Sequence, residues 1–158
     1  SDEKGRKTVA ELVRDCGERV YPVGRLDLDS EGLLLLTNDG EWMHHLLHPR
    51  YEVNKTYEVS VAGAVRGAQE ALSSMTRLDG EPVRPAQVRV LRQGRDTALL
   101  SITIHEGKNR QIRRMCAAAG LHVKRLKRVQ EHTLKLGDLP EGAWRDLTEQ
   151  ELLATKLK

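Results

Sequence analysis

The deciding stretch of this sequence reads Gly24-Arg25-Leu26-Asp27-Leu28-Asp29-Ser30-Glu31-Gly32, and it carries acids, a base and a hydroxyl group. It lies between two apolar runs, Val20-Tyr21-Pro22-Val23 and Leu33-Leu34-Leu35-Leu36. Short apolar runs bounded by turn residues are typical of buried strands. The sequence therefore predicts a polar loop held rigidly beside a sheet, where a catalytic carboxylate can be positioned. From composition alone, a solvated surface loop is the alternative interpretation.

The charge of the chain is concentrated in one block. The 158 residues carry a formal net charge of only +3, and this length suits one domain. Residues 108–128 contain no Asp or Glu, and their cations are Lys108, Arg110, Arg113, Arg114, Lys124, Arg125, Lys127 and Arg128. Because an acid-free run leaves its cations without local partners, the block predicts a localised polyanion-binding face.

Several classes of protein are disfavoured by composition. No apolar run approaches the ~20 residues that span a bilayer, and no signal peptide is visible at the polar N-terminus. Cys16 and Cys116 are isolated thiols that fit a reducing cytoplasm, and both are predicted to be small buried residues. The histidines His44, His45 and His48 cluster, but no acid or thiol completes a ligand set, so no metal site is predicted.

Residues that favour helix N-termini predict several helices. Thr8-Val9-Ala10-Glu11 and Thr148-Glu149-Gln150-Glu151 are capping boxes, in which the hydroxyl and the carboxylate each accept a backbone N–H. Asp39 is predicted to cap a short helix, and Asn109 is predicted to cap a helix over residues 109–119. A further helix is expected near residues 67–75.

Alternating apolar residues and turn signals predict the strands. They are expected at residues 55–61, 87–91, 98–105, 122–129 and 133–136. The second and third of these are predicted to form an antiparallel pair across Gln93-Gly94-Arg95. Because helices and strands do not alternate in βαβ units, the pattern predicts an α+β fold.

Several motifs in a fixed order carry a resemblance to one family. Besides residues 24–40, they are Lys55-Thr56-Tyr57-Glu58-Val59, residues 106–115 and residues 139–147. The chain resembles the bacterial-type RsuA/RluB ribosomal RNA pseudouridine synthases, most closely the RluB branch that acts on large-subunit 23S rRNA. The resemblance implies a mixed, mostly antiparallel sheet flanked by helices. It also implies that residues 1–158 are a catalytic domain without the family's N-terminal S4-type domain and first catalytic strand.

The resemblance implies an isomerase that converts a uridine to pseudouridine without a cofactor. Asp27 matches the catalytic aspartate of the family, whether it attacks C1′, helps to form a glycal or attacks C6; Asp29 is the second carboxylate of the loop. Arg113 matches the arginine that pairs with this aspartate, with a phosphate contact as the alternative. Tyr57 matches the tyrosine that stacks on uracil, and Leu126 is expected in the uracil pocket; core packing is the alternative for both.

The RNA contacts are expected on the basic segments. Phosphate contacts are predicted for Lys108, Arg110 and Arg114 and then for Lys124, Arg125 and Arg128, while Arg25 is predicted to contact RNA, occupy the space of a flipped base or order its loop. The chain is expected to act as a monomer on ribosomal RNA or an assembling subunit. The main alternative is a catalytically silent rRNA-binding or ribosome-assembly module. A DNA-binding helix-turn-helix fits poorly, because strand-like sequence follows the basic helix.

Overall fold

A six-stranded sheet organises the fold, and the computed structural model describes residues 9–51 and 53–156. The strands are β1 (Tyr21–Val23), β2 (Glu31–Gly32), β3 (Leu35–Thr37), β4 (Lys55–Gly63), β5 (Arg77–Leu78), β6 (Glu81–Pro82), β7 (Gln87–Gln93), β8 (Thr97–Ile104), β9 (Leu121–Glu131) and β10 (Leu134–Lys135). The helices are α1 (Val9–Leu12), α2 (Gly40–Leu47), α3 (Ala68–Ser73), α4 (Gln111–Ala118) and α5 (Glu149–Lys156).

The main sheet runs in the order β10-β9-β4-β8-β7, and all of these neighbours are antiparallel. Strand β2 joins β9 in parallel at the side of this path. The predicted α+β fold with a mixed, mostly antiparallel sheet and flanking helices is therefore confirmed. No helix in the described ranges is both long and apolar enough to cross a membrane.

Alternation along β4 and β8 creates the main core. Val59 and Val61 of β4 and Leu100 and Ile102 of β8 are almost completely buried, as expected for one face of a half-buried sheet. Helices α3 and α4 cover this face, and Met115 of α4 is 1% exposed. The strand predicted at residues 55–61 and the hairpin predicted from residues 87–91 and 98–105 are both confirmed.

The apolar runs beside the polar loop form a smaller unit than predicted. Strands β1 and β3 pair only with each other, and Val23 and Leu35 enter a second core with Trp42, while Tyr21 is 49% exposed. The prediction of two buried strands is therefore only half right, because a two-stranded ribbon buries one of its faces. Helix α5 anchors this core through a 2.8 Å hydrogen bond from Trp42 Nε1 to Thr155 Oγ1.

The predicted helix caps have different outcomes. Asp39 accepts hydrogen bonds from two backbone N–H groups of α2, and the capping box between Thr148 and Glu151 is formed in both directions. The box that begins at Thr8 lies outside the described residues. The Asn109 cap is wrong, because α4 begins at Gln111 after Arg110, whose backbone is left-handed with φ 50° and which supplies no side-chain cap.

Two β-bulges in β9 change which side chains face the core. The register with β4 shifts between Thr56 and Tyr57, which pair with Gln130 and Arg128, so Val129 is the extra residue. A bulge re-aims the side chains of its strand. Arg128 and Glu131, three residues apart, consequently both point into the protein and are 3% and 1% exposed.

Candidate active site

A cavity of about 1010 Å³ lies where the loop after β1 meets β4, β9 and the start of α4. Predicted site residues that line it are Arg25, Asp27, Tyr57, Lys108, Arg110, Leu126 and Arg128. Positions far apart in the sequence therefore meet around one concave space, as expected for a small-molecule or base-binding pocket. The predicted residues Arg113, Arg114, Lys124 and Arg125 do not line this cavity.

The floor of the cavity is built by register partners in β4 and β9. Tyr57 lies opposite Arg128, and Val59 lies opposite Leu126, so all four side chains share one face of the sheet. Leu126 is 6% exposed, belongs to the main core and also lines the cavity. The two roles considered for Leu126, pocket wall and core packing, are therefore compatible.

The loop that carries Asp27 is fixed against β9. Ser30 N donates to Asp27 O at 3.0 Å, which closes a turn, and Leu33 N donates to Arg128 O at 2.8 Å. At Gly32 the backbone has φ 108°, and a Cβ atom would lie 2.2 Å from Arg128 O. Only glycine allows this close approach between the loop and β9.

Arginines from the start of α4 hold the loop from the other side. Arg110 forms a two-pronged pair with Asp29, with Nη1–Oδ1 at 3.1 Å and Nη2–Oδ2 at 2.7 Å. Its Nη1 atom also lies 3.4 Å from Asp27 Oδ2. This double contact links both carboxylates of the loop to one guanidinium.

The predicted pair between Arg113 and Asp27 is wrong as a contact. Arg113 Nε lies 3.4 Å from Asp29 Oδ2, and Arg113 Nη2 donates to the backbone oxygen of Asp29. Arg110 and Arg113 are about one helical turn apart, so both reach the same loop. The contact with Asp27 is made by Arg110, which the sequence had assigned to a phosphate.

The ion pairs set the charge of the loop. The hydrogen bond from Arg110 is the largest cause that lowers the pKa of Asp29, and the charge of Arg113 lowers it further against the opposing effect of burial. The same hydrogen bond raises the pKa of Arg110. Asp29 is therefore an anion at neutral pH, and it offsets part of the positive charge beside Asp27.

Arg128 is not the surface phosphate contact that its place in the basic block predicted. Its Nε donates to Leu33 O at 2.9 Å, its Nη1 lies 3.5 Å from Arg25 O, and the side chain is buried. The bulge at Val129 is the physical reason, since it turns Arg128 inward. Arg128 therefore supports both ends of the loop that carries Asp27.

A buried acid beneath the cavity was missed in the sequence. Glu131 Oε1 lies 3.5 Å from Arg128 Nε, and both side chains are buried. Burial raises the pKa of Glu131 and lowers the pKa of the nearby Lys55. The residue looks like the ordinary end of a basic segment, and only the register shift in β9 shows that it faces inward.

Cations of the block without local partners pair with acids in distant segments of the chain. Arg114 pairs with Asp79 at 2.7 Å, and Arg125 pairs with Glu31 through contacts of 2.6 and 2.7 Å. Lys124 is exposed, and no ion pair is found for it among the described residues. Local sequence cannot show such long-range pairs.

Neither cysteine lines the cavity, whereas His48 of the histidine cluster does. Cys116 is buried as predicted, and burial raises its pKa to about 11, whereas Cys16 is only half-buried. His45 Nε2 lies 3.2 Å from Thr155 O. Over residues 9–51 and 53–156, no group of three or more His, Cys, Asp or Glu side chains is arranged to hold a metal ion.

Residues 3–118 match the protein family described as RNA pseudouridylate synthase. The chain belongs to this family. It is 46% identical over 151 residues to an uncharacterised RNA pseudouridine synthase of Aquifex aeolicus, covering 94% of this chain and 60% of that protein. It is 43% identical over 154 residues to ribosomal large subunit pseudouridine synthase B of Bacillus subtilis, covering 96% of this chain and 63% of that enzyme.

A solved structure supports the same family. The crystal structure of a pseudouridylate synthase superposes with a TM-score of 0.78 and 35% identity, covering 86% of this chain and 59% of that one. The chain thus spans about three fifths of the length of these relatives. The resemblance found in the motifs is confirmed at the level of the family.

Proposed function

We propose that this protein isomerises a specific uridine in ribosomal RNA, in the large-subunit 23S rRNA, to pseudouridine. The observation that carries the proposal is the cavity in which Asp27 lies above a floor containing Tyr57, with an arginine 3.4 Å from its carboxylate. Membership of the family and the similarity to a large-subunit enzyme support it. Residues 1–158 would supply the catalytic domain of such an enzyme.

The reaction breaks the uracil N1–C1′ bond and joins C5 to C1′, after which C5 loses its proton and N1 carries one. We assign Asp27 as the carboxylate that attacks C1′ or helps to form a glycal, with attack on C6 as the alternative. Arg110 places a positive charge 3.4 Å from this carboxylate. No cofactor is required, because the redox state of the base does not change.

The detached uracil must stay in place while it turns. Tyr57 lies on the cavity floor, where its ring can stack on the base, and Leu126 forms an apolar wall in the same sheet face. A uridine in folded RNA reaches such a cavity only after it leaves its stack, so the proposal includes base flipping. The half-buried loop position of Asp27 suits this arrangement.

The RNA backbone is proposed to cross the opening of the cavity. Arg25, Lys108 and Arg110 line the cavity and are the candidates for phosphate contacts near the reacting nucleotide. Arg114, Lys124 and Arg125 lie outside it and would contact RNA farther away. The ion pairs of Arg114 with Asp79 and of Arg125 with Glu31 lie at the surface, so their exchange for a phosphate would cost little.

The competing function is a silent rRNA-binding or ribosome-assembly module. Asp27 distinguishes the two, because a module that only binds polyanions gains nothing from a carboxylate directed into the cavity that holds the base. The test is incubation of the protein and its Asp27→Asn variant with unmodified large-subunit rRNA, followed by chemical mapping of pseudouridine. The proposal expects one modified uridine with the unaltered protein and none with Asp27→Asn. Binding without any pseudouridine would support the silent module.

A further inference from the structure

The main sheet has a second face, opposite the face that carries the cavity and the main core. Side chains alternate between the two faces of a strand, so Tyr57 lines the cavity and its neighbour Glu58 points the other way. A second concave space, of about 570 Å³, lies on this opposite side. Among residues 9–51 and 53–156, the two spaces share no lining residue. The second space is therefore separate from the candidate active site.

Two rows of register partners cross this side of the sheet from β9 through β4 and β8 to β7. The first row consists of Lys127, Glu58, Ser101 and Arg89, and the second row consists of Arg125, Ser60, Leu99 and Arg92. Each row begins with a cation of β9 and ends with an arginine of β7. These eight residues define the open sheet face, and each of them is at least partly exposed.

Irregularities in β7 and β9 place cations on the open sheet face. Arg89 and Arg92 are three residues apart and would point to opposite sides of a regular strand, but the register of β7 shifts between them. The register of β9 shifts opposite Ser60 and Val61, which leaves Lys124 as the extra residue. Lys124 is exposed and lines the same concave space. Because three strand spacings separate β9 from β7, the two rims of cations lie about 14 Å apart.

Most of these cations have no counter-ion within the protein. In the described ranges, no ion pair is found for four of them, Arg89, Arg92, Lys124 and Lys127. Arg125 pairs with Glu31, and Glu58 is the one carboxylate among the eight residues of the face. The open sheet face therefore keeps an excess of positive charge along both rims, and such a surface attracts a polyanion.

The chemistry of the face favours the backbone of RNA over an acidic protein. Arg and Lys side chains bind phosphates, and the hydroxyl groups of Ser60 and Ser101 between the rims suit phosphate oxygens and ribose 2′-OH groups. Leu99 is the one apolar side chain among the eight residues, whereas the centre of a protein–protein interface is depleted in charge and rich in aromatic side chains.

We propose that the open sheet face binds the sugar–phosphate backbone of an rRNA segment other than the one that carries the target uridine. The inference rests on the proposed function for the identity of the RNA. It adds a second contact on the opposite side of the sheet, and it assigns to RNA the arginines of β7, which lie outside the acid-free block.

The test measures RNA affinity over a salt series with an unmodified transcript of large-subunit rRNA. Arg89→Gln combined with Arg92→Gln is expected to reduce the slope of log affinity against log salt by roughly 1.5 units, the value for two lost phosphate contacts. Lys124→Gln combined with Lys127→Gln, on the opposite rim, should reduce the slope by a similar amount. Thermal midpoints equal to that of the unaltered protein check that both rim variants fold.

A matched control removes the same charge elsewhere. Arg19 and Arg66 are exposed arginines outside the open sheet face, so Arg19→Gln combined with Arg66→Gln should leave the slope nearly unchanged. An equal fall in this control, or an unchanged slope in both rim variants, overturns the inference. Poly-glutamate that binds the unaltered protein and not the rim variants, while RNA affinity stays the same, assigns the face to an acidic protein and also rejects the RNA contact.

Pseudouridine formation in the same transcript keeps the two hypotheses apart. Because the open sheet face lies opposite the cavity, the rim variants are expected to retain the saturated turnover of the unaltered protein. Affinity that depends on the rims without any pseudouridine contradicts the proposed function and supports the second contact. Pseudouridine formation with an affinity independent of the rims supports the function and contradicts the second contact.

Discussion

Asp29, two residues after Asp27, takes the two-pronged grip of Arg110, whose Nη2 lies 2.7 Å from Asp29 Oδ2 and whose Nη1 lies 3.4 Å from Asp27 Oδ2. The closer and better aligned pair is thus made by the carboxylate outside the cavity lining. A guanidinium held in this way has a fixed direction. Asp27 therefore lies near the positive charge of Arg110, but its carboxylate is held less tightly than that of Asp29.

The first prediction concerns the two carboxylates of the loop. Asp27→Asn is expected to abolish tritium release from rRNA that carries 5-tritiated uridine, because an amide is a very poor nucleophile. Asp29→Asn is the matched control, with the same chemical change two residues away. An active Asp27→Asn together with an inactive Asp29→Asn would reverse the assignment.

The second prediction treats Asp29 as a support for the arginines. Asp29→Asn removes the anion that orients Arg110 and Arg113, so saturated turnover is expected to fall roughly tenfold while the thermal midpoint changes little. Restoring the carboxylate as Asp29→Glu should recover part of the rate. Turnover equal to that of the unaltered protein would show that Asp29 is only a surface charge.

The third prediction concerns Arg113, which contacts both the carboxylate and the backbone oxygen of Asp29. Arg113→Met is expected to cut saturated turnover more than RNA affinity, and Lys should rescue it poorly, because an ammonium lacks the two-pronged geometry. Since both residues act through one contact, Arg113→Met combined with Asp29→Asn should cost less than the sum of the single changes. A Met variant with weak RNA binding and normal saturated turnover would make Arg113 a phosphate contact.

The fourth prediction separates two cations of the same basic block. Lys124→Ala removes an exposed charge, and it should reduce the slope of log affinity against log salt by close to one unit if that charge contacts a phosphate. Arg128→Met breaks a buried pair with Glu131 and should lower the free energy of unfolding by about 3–5 kcal/mol. The measurements are RNA affinity over a salt series and urea unfolding. A stable Arg128→Met variant with a reduced salt slope would return Arg128 to the RNA-binding face.

The fifth prediction is a pH dependence at the start of α5. The hydrogen bond from Arg145 is the main cause that lowers the pKa of Glu151 to about 2 from 4.5. A lowered pKa stabilises the fold above the unfolded value, so this contribution is complete above pH 4.5 and is lost as the pH falls towards 2. Glu151→Gln should therefore lower the urea midpoint at pH 6 and have a shrinking effect below pH 4. An effect independent of pH would assign the loss to the capping geometry alone.

Local rules in the sequence predicted the regular elements well. The alternation of residues 55–61, the hairpin of β7 and β8 and the caps at Asp39 and Thr148 depend on neighbours within a few residues, and all are confirmed. The motifs predicted the family, and they also predicted that the loop carrying Asp27 belongs to the candidate site. These features could be predicted because they depend on residues close in sequence or on motifs long enough to be specific for the family.

The pairing of charges could not be predicted in the same way. Arg110 exchanges roles with Arg113 because the helix starts later than the Asn109 cap indicated, with Arg110 in a left-handed conformation. Arg128 turns inward because β9 contains one extra residue relative to β4. Neither the start of a helix nor a register shift is visible in residue type, yet each decides which cation meets which acid.

The parallel pairing of Glu31 with Lys127 and the close approach at Gly32 join segments almost a hundred positions apart. During synthesis the loop that carries Asp27 leaves the ribosome long before β9 does. The residues that hold it, Arg110, Arg113 and then residues 121–131, all follow much later, and contacts of such separation form late. The cavity around Asp27 is therefore expected to take its final shape only when the sheet is complete, so that an unfinished chain folds without a finished site.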